Sequence, residues 1–221
     1  MTKFLKHHPD PEMLVEFSAG TLDTALSICV SAHLHYCESC RAEVARLNEI
    51  GSHLLESSEP AEIDDQLFDK VMDKIDSAES VPVKTETDKN MPNYQSHIKK
   101  LISSAKSTPV WKRLTSSMDV AKLITGQNKF EVALHRICAG GSVPKHDHKG
   151  TEYTVVLKGS FSDEQSVYTE GDFLVRNPGD IHQPMGAKNG ECICLSALEA
   201  PIKLDNPLGF LFRPWLKINP M

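Results

Sequence analysis

Apolar and polar positions follow two different periods along this chain, and the change falls near residue 107. Before it the spacing is helical. Met13, Leu14 and Phe17 form one apolar stripe behind Asp10-Pro11. That pair is a capping carboxylate followed by a proline, whose missing N–H would have no partner in the first turn anyway. Gly20 is placed to end this helix. Asp23 is placed to cap a second helix, with Leu26, Cys29, Val30 and His33 along one side. A third helix is expected from about Ser39 to Leu55, with Cys40, Val44, Leu47, Gly51 and Leu54 on one face. From Ile63 to Ile75 the positions Ile63, Leu67, Phe68, Val71, Met72 and Ile75 oppose a charged side, the pattern of an amphipathic helix. Its stripe can close the bundle or dock in a partner's groove.

Residues 77–93 are polar, contain Pro82 and Pro92 and have no periodicity, so they read as a linker. Residues 94–105 can hold one or two helical turns. Beyond 107 the runs FEVALHRICAGG, YTVVLKGSFS, GDFLVRNPG and CICLSALEA have period two or are continuously apolar, between Gly, Pro, Asn and Asp. Short strands at close spacing predict an all-β sandwich or barrel. The expected organisation is therefore a small helical bundle over 1–76, a linker over 77–106, a β domain over 107–205 and a C-terminal extension over 206–221. A polar linker between two compact modules transmits little by stiffness, so a signal between them must change one module's structure or expose a site for attack.

Composition is that of an ordinary globular protein, with 40% hydrophobic and 24% charged residues in 221. A net charge of −6 argues against general binding to nucleic acid, which rests on Lys and Arg neutralising phosphates. No apolar run reaches the roughly 18 residues of a membrane span. The start, MTKFLKHHPDPEML, has no apolar signal region, so a cytoplasmic protein is expected. Six cysteines are too few for a disulfide scaffold, and four sit in close pairs, Cys37/Cys40 and Cys192/Cys194.

The helical module is small, its core is thin, and a staple is expected. His33, Cys37 and Cys40 supply one. Cys37 lies one turn beyond His33, and the C-x-x-C spacing lets two thiolates face one ion. Imidazole with two thiolates suits zinc. The fourth ligand is expected from the N-terminal segment, from His7 or His8, because a distant ligand ties the first helix to the others. The plainer alternative is a pair of small buried thiols and a helix-end imidazole.

In the β module, His146 and His148 alternate on one strand face, Glu152 follows a Lys-Gly-Thr turn, and His182 follows Pro178-Gly179. Three imidazoles and one carboxylate suit Zn, Fe, Mn, Ni or Cu. Cys192 and Cys194 also share a strand face, for core packing or for redox chemistry. Cys29 and Cys138 are expected to be core residues, and Trp111 and Trp215 packing anchors.

The string Gly141-x4-His146-x-His148-x3-Glu152-x6-Gly159 resembles the first cupin motif. The second motif is matched at Gly179-x-x-His182, although the residue usually found between Pro and Gly is missing and Gly186 stands where the family has Asn. With His33-x3-Cys37-x2-Cys40 upstream, nearly the whole chain resembles the ChrR-type anti-sigma factors of bacteria, a zinc-binding anti-sigma domain followed by a cupin, or double-stranded β-helix. The resemblance implies zinc at His8, His33, Cys37 and Cys40, and zinc at His146, His148, Glu152 and His182. It maps the family's C-x-C pair onto Cys192 and Cys194. It implies a cytoplasmic regulator, not an enzyme, that holds an extracytoplasmic-function sigma factor inactive and releases it under singlet oxygen or related oxidative stress, with the cupin as sensor. Two other classes fit the residues. One is a metal-dependent cupin dioxygenase or isomerase with a helical appendage; the other is a redox protein working through Cys192 and Cys194.

Overall fold

The computed structural model describes residues 5–62, 64, 66–77, 110–200 and 202–204. Most of the expected linker, residues 94–105, Ile63, Trp215 and the C-terminal extension lie outside the described residues. Four helices come first: α1 (Pro11–Ala19), α2 (Thr24–Tyr36), α3 (Glu38–Glu56) and α4 (Leu67–Asp76). The α1 cap forms as its sequence predicts. The Asp10 side chain accepts from the Met13 N–H at 2.7 Å, and Gly20 closes the helix with φ +72°. Asp23 departs from its expected role. Its side chain caps nothing and instead meets Lys129 Nζ at 2.7 Å, so the ion pair with the β module displaces the cap.

The strands are β1 (Lys112–Thr115), β2 (Met118–Leu123), β3 (Glu131–Ile137), β4 (His146–His148), β5 (Glu152–Lys158), β6 (Ser160–Ser162), β7 (Val167–Thr169), β8 (Phe173–Arg176), β9 (Met185–Gly186), β10 (Cys192–Leu198) and β11 (Ile202–Leu204). They form an antiparallel sheet in the order β1-β2-β3-β10-β5-β8, a smaller sheet β7-β6-β9, and the pair β11-β4. The period-two pattern therefore gives the barrel it predicts.

Every residue of β10 is buried. Its two faces serve different cores. Cys192 and Cys194 pack with Val156, Phe161 and Tyr168 between the two larger sheets. Ile193, Leu195 and Ala197 join Val155 and Leu157 of β5 in a second core shared with Leu26, Cys29 and Val30 of α2. This is why the run Cys-Ile-Cys-Leu-Ser-Ala-Leu does not alternate with charged residues: both faces are covered. Helices and barrel thus share one core. Helix α2 lies on the large sheet, and Tyr36 Oη donates to the Leu157 carbonyl at 2.6 Å. Cys29 is fully buried as expected, whereas Cys138 is only partly so.

Helix α4 differs from the other three in having no buried residue. Phe68 is 71% exposed and Ile75 60%, and Leu67, Val71 and Met72 are exposed with them. The apolar stripe does not close the bundle. Among the described residues no single helix is long and apolar enough to cross a membrane.

Candidate metal centres

The first centre forms where α2 turns into α3. Cys37 ends α2 in an extended conformation and caps α3, its Sγ accepting from the Cys40 N–H at 3.4 Å. That geometry sets both sulfurs on the inside of the turn. His33 lies one turn back on α2, fully buried. His8 arrives from the segment before α1. Its Nδ1 is 3.4 Å from Cys37 Sγ and 3.4 Å from Cys40 Sγ, and His33 Nε2 is 3.3 Å from Cys40 Sγ. The donor atoms of the four residues lie within 4.8 Å of one another. Of the two N-terminal histidines left open by spacing, His8 joins this group. The His7 ring packs on Tyr168 at 4.9 Å instead, with Nε2 buried and without a hydrogen-bond partner.

Proton positions follow from the outer contacts. Carbonyl oxygens only accept, so His33 donates from Nδ1 to Gly171 O at 2.6 Å and His8 from Nε2 to Leu5 O at 3.2 Å. The ring nitrogens left facing the sulfurs carry lone pairs. Burial keeps His33 neutral by lowering its pKa to about 4. Burial and the adjacent Cys37 push the Cys40 thiol up to about 12, so a thiolate there calls for a cation, which inverts that order. Two neutral imidazoles and two sulfurs are a tetrahedral donor set that fits a metal ion.

The second centre lies inside the barrel. His146 and His148 are both buried on β4, and an isolated bridge ties the backbones of His146 and His182. The His182 Nε2 is 3.1 Å from the Nε2 of His146 and 3.1 Å from that of His148. His146 donates from Nδ1 to Pro144 O at 2.8 Å, and His182 Nδ1 faces Asp163 Oδ2 at 3.1 Å. The inner nitrogens of these rings are turned toward one another, an arrangement that suits a shared cation. Burial lowers the His146 pKa to about 4 and lowers that of His148. Burial raises Glu152, but His148, His135 and His146 outweigh it and hold the carboxyl below its ordinary value. Glu152 Oε2 is 3.3 Å from His148 Nδ1, and the four donor atoms again gather within 4.8 Å. Both groups thus fit metal binding.

Spacing missed the residues behind these ligands. Asp163 accepts from Arg176 at 2.8 Å as well as meeting His182. Burial opposes its ionisation, yet Arg176, His182 and the N–H groups of Gln165 and Ser166 hold it far below the usual carboxylate range. Thr154 donates to Glu152 at 2.9 Å and meets Ser196 at 2.6 Å, with His135 3.4 Å further on. None of these residues belongs to a motif. The only local signal was a polar residue, Thr154 or Ser196, within an otherwise apolar strand. Cys192 and Cys194 are brought together, Sγ to Sγ 3.7 Å, and both are buried. Contact with Cys192 and burial push the Cys194 thiol well up.

Comparison with known proteins joins the two centres into one architecture. Residues 100–200 match the ChrR cupin-like domain. The anti-sigma-E factor ChrR of Cereibacter sphaeroides is 29% identical over 214 residues, covering 97% of this chain and 99% of that protein. Nearly the whole chain is thus similar to a ChrR-type protein. A chain in the crystal structure of Rhodobacter sphaeroides SigE in complex with the anti-sigma ChrR is also similar, with a TM-score of 0.73 and 29% identity. That match covers 88% of this chain and 99% of the other. The likeness therefore extends over helices and barrel together, in the same order.

Proposed function

We propose that the chain is a cytoplasmic anti-sigma factor that binds and inhibits an extracytoplasmic-function sigma factor. Its helical module, residues 1–76, is the inhibitor. Zinc on His8, His33, Cys37 and Cys40 ties the N-terminal segment to α2 and α3. A second ion, zinc as well, is held by His146, His148, Glu152 and His182 in the β module of residues 107–205. That module is the sensor, and it releases the sigma factor under oxidative stress such as singlet oxygen.

The observation that carries this reading is α4, whose Leu67, Phe68, Val71, Met72 and Ile75 stay uncovered. Ile50, Leu54 and Leu55 near the end of α3 are exposed as well. Apolar surface of that extent on a helix marks a binding face. The ChrR of the similar crystal structure is in complex with a sigma factor, SigE, which supplies the chemistry of the partner.

The β module can act on the helices through β10. Oxidation of Cys192 or Cys194 puts polar oxygen on the inner side of a strand whose outer side is packed under α2, and oxidation of an imidazole ligand weakens the barrel's donor set. The test is co-expression with the extracytoplasmic-function sigma factors of the same organism, each with a reporter for its promoters, and capture of the chain. Capture of one such sigma factor and silence of its promoters are expected. Full promoter activity and no complex with the intact, metal-loaded chain would overturn the reading.

A further inference from the structure

The turn between β7 and β8, residues 170–172, belongs to the barrel by its own hydrogen bonds. Gly171 N–H donates to Val156 O at 2.8 Å, Val156 N–H to Asp172 O at 3.1 Å, and Asp172 N–H to Thr169 O at 2.9 Å. Asp172 Oδ2 accepts from the Thr169 N–H at 2.7 Å and from its hydroxyl at 3.1 Å. The turn is therefore fixed before anything docks on it. Yet two of its acceptors, Gly171 O and Asp172 Oδ1, serve the segments that carry the helical metal group. Gly171 O takes the His33 Nδ1 proton. Asp172 Oδ1 accepts from the N–H groups of Lys6 at 3.3 Å and His7 at 3.4 Å, and the next residue, Phe173, donates its N–H to His7 O at 3.0 Å. The Phe173 ring lies edge-on to His33, with centroids 5.9 Å apart.

We propose that this barrel turn is the outer shell of the helical metal centre, positioning two of its four ligands: His33 through the Gly171 carbonyl, and His8 through the backbone of Lys6 and His7. The proposal rests on the reading of His8, His33, Cys37 and Cys40 as metal ligands. It has a physical basis in how metal sites are tuned. The acceptor on the far nitrogen of a ligating imidazole fixes its tautomer and ring plane and raises its basicity. Here that acceptor comes from a different module, 138 residues away in sequence. The metal is then held more tightly when the barrel is docked than when it has shifted. A disturbance inside the barrel reaches the inhibitor as a loosened metal, with no stiff linker required.

Gly171 gives the means of testing this. Its φ of +94° is strained for any other residue, and a Cβ there would sit 2.6 Å from Tyr36 Cβ and 2.9 Å from Leu5 Cδ1. Gly171→Ala therefore wedges the turn off α2. The readout is a cobalt(II) titration of the full-length chain, followed by the thiolate-to-cobalt charge-transfer band. Only the Cys37/Cys40 centre produces that band, because the barrel donor set has no sulfur. Gly171→Ala and Asp172→Ala are each expected to weaken cobalt binding at that band by about 10- to 100-fold, the usual effect of losing an outer partner. Asp172→Asn, which keeps an acceptor oxygen, should lie between Asp172→Ala and the parent. Gly126→Ala is the control: it is strained at φ +73° with open space around it, and should lower stability while leaving the band titration unchanged. Parent-like cobalt affinity in both Gly171→Ala and Asp172→Ala overturns the proposal, as does equal weakening in Gly126→Ala. If the parent gives no band that Cys37→Ser removes, the metal reading itself has failed, and this proposal with it. Should Gly171→Ala not fold, the two Asp172 variants decide.

Discussion

The two metal groups sit in unlike surroundings. The helical group draws its four residues from the segment before α1, from α2 and from the α2–α3 junction. Those pieces also meet in the core shared with the sheet, and one ligand's outer partner is lent by the barrel. The barrel group draws on β4, β5 and the bridge at His182, within a lattice of strand pairing that closes without it. Its outer partners, Pro144, Asp163 and Thr154, are all local to the barrel. The same number of donors would therefore do different work. In the helices a metal would tie the N-terminal segment to α2 and α3; in the barrel it would sit inside a core that the strands close without it.

The harshest test of that contrast is to remove one ligand from each. Structural zinc supplies about 10–16 kcal/mol of apparent binding energy in small zinc-dependent modules, much of it folding energy. Cys37→Ala should cost the helical module its fold. Far-ultraviolet circular dichroism should lose helical signal, and capture of the sigma factor should disappear. His148→Ala should empty the barrel site yet keep the strand signal and the capture. A Cys37→Ala chain that stays helical and inhibitory would erase the distinction.

Acid should reveal the same contrast in the metal-free chain. His33 and His146 each have a folded pKa of about 4, against 6.5 for a free imidazole, because burial disfavours the charged ring. The unfolded chain then binds more protons between these values. The stability each group contributes is complete above about 6.5 and is lost as the pH falls towards 4. The loss is up to about 3 kcal/mol per group. Urea midpoints measured across that window should fall with pH. The sheet, with its independent core, should outlast the helices. A flat profile would mean that these rings are not buried as neutral groups.

Much of this was legible in the chain. Asp10, Pro11 and Gly20 delimit α1, and the motif spacings point to the two donor groups that the structure gathers, because a ligand set leaves a local signature. Spacing marked seven of those donors, and the eighth, His8 rather than His7, came only with the resemblance. What stayed hidden was contact between distant segments. His7 and His8 could not be told apart, since the choice depends on Tyr168, which receives the His7 ring. Asp23 reads as a cap until Lys129 is known to lie beside it. The polar linker says nothing of contact between the modules, which runs through buried surface instead. One sign of that surface was present. A seven-residue strand with no charged position, Cys192 to Leu198, asks for a cover on both faces.

A milder variant separates partner binding from folding. Phe68 is largely exposed on α4, so Phe68→Asp should leave the thermal midpoint near that of the parent. If α4 is the docking face, the loss of a buried aromatic anchor should weaken sigma binding by about 2–4 kcal/mol, measured by titration calorimetry. Undiminished affinity would move the docking face elsewhere on the helical module and leave the contrast between the centres intact.

The smallest structural effect, and the finest discrimination, comes from the two cysteine pairs. Cys37 and Cys40 face the helical donor group, where a cation favours thiolates. Cys192 and Cys194 are buried in the barrel, and the Cys194 thiol is held protonated by its neighbour and by burial. Replacing both barrel cysteines with alanine removes only two sulfur atoms from a packed core, at about 1 kcal/mol each. The double variant should therefore fold, keep both metals and hold the sigma factor as the parent does. Its difference should appear only under singlet oxygen, where release should slow because part of the barrel's oxidisable inner face is gone. Release at the parental rate would exclude this pair and leave two targets, the barrel imidazoles and the helical thiolates. A His148→Ala chain, which has no barrel metal to lose, then divides them. If it too releases at the parental rate, the trigger is the helical centre, and staple and sensor are one site.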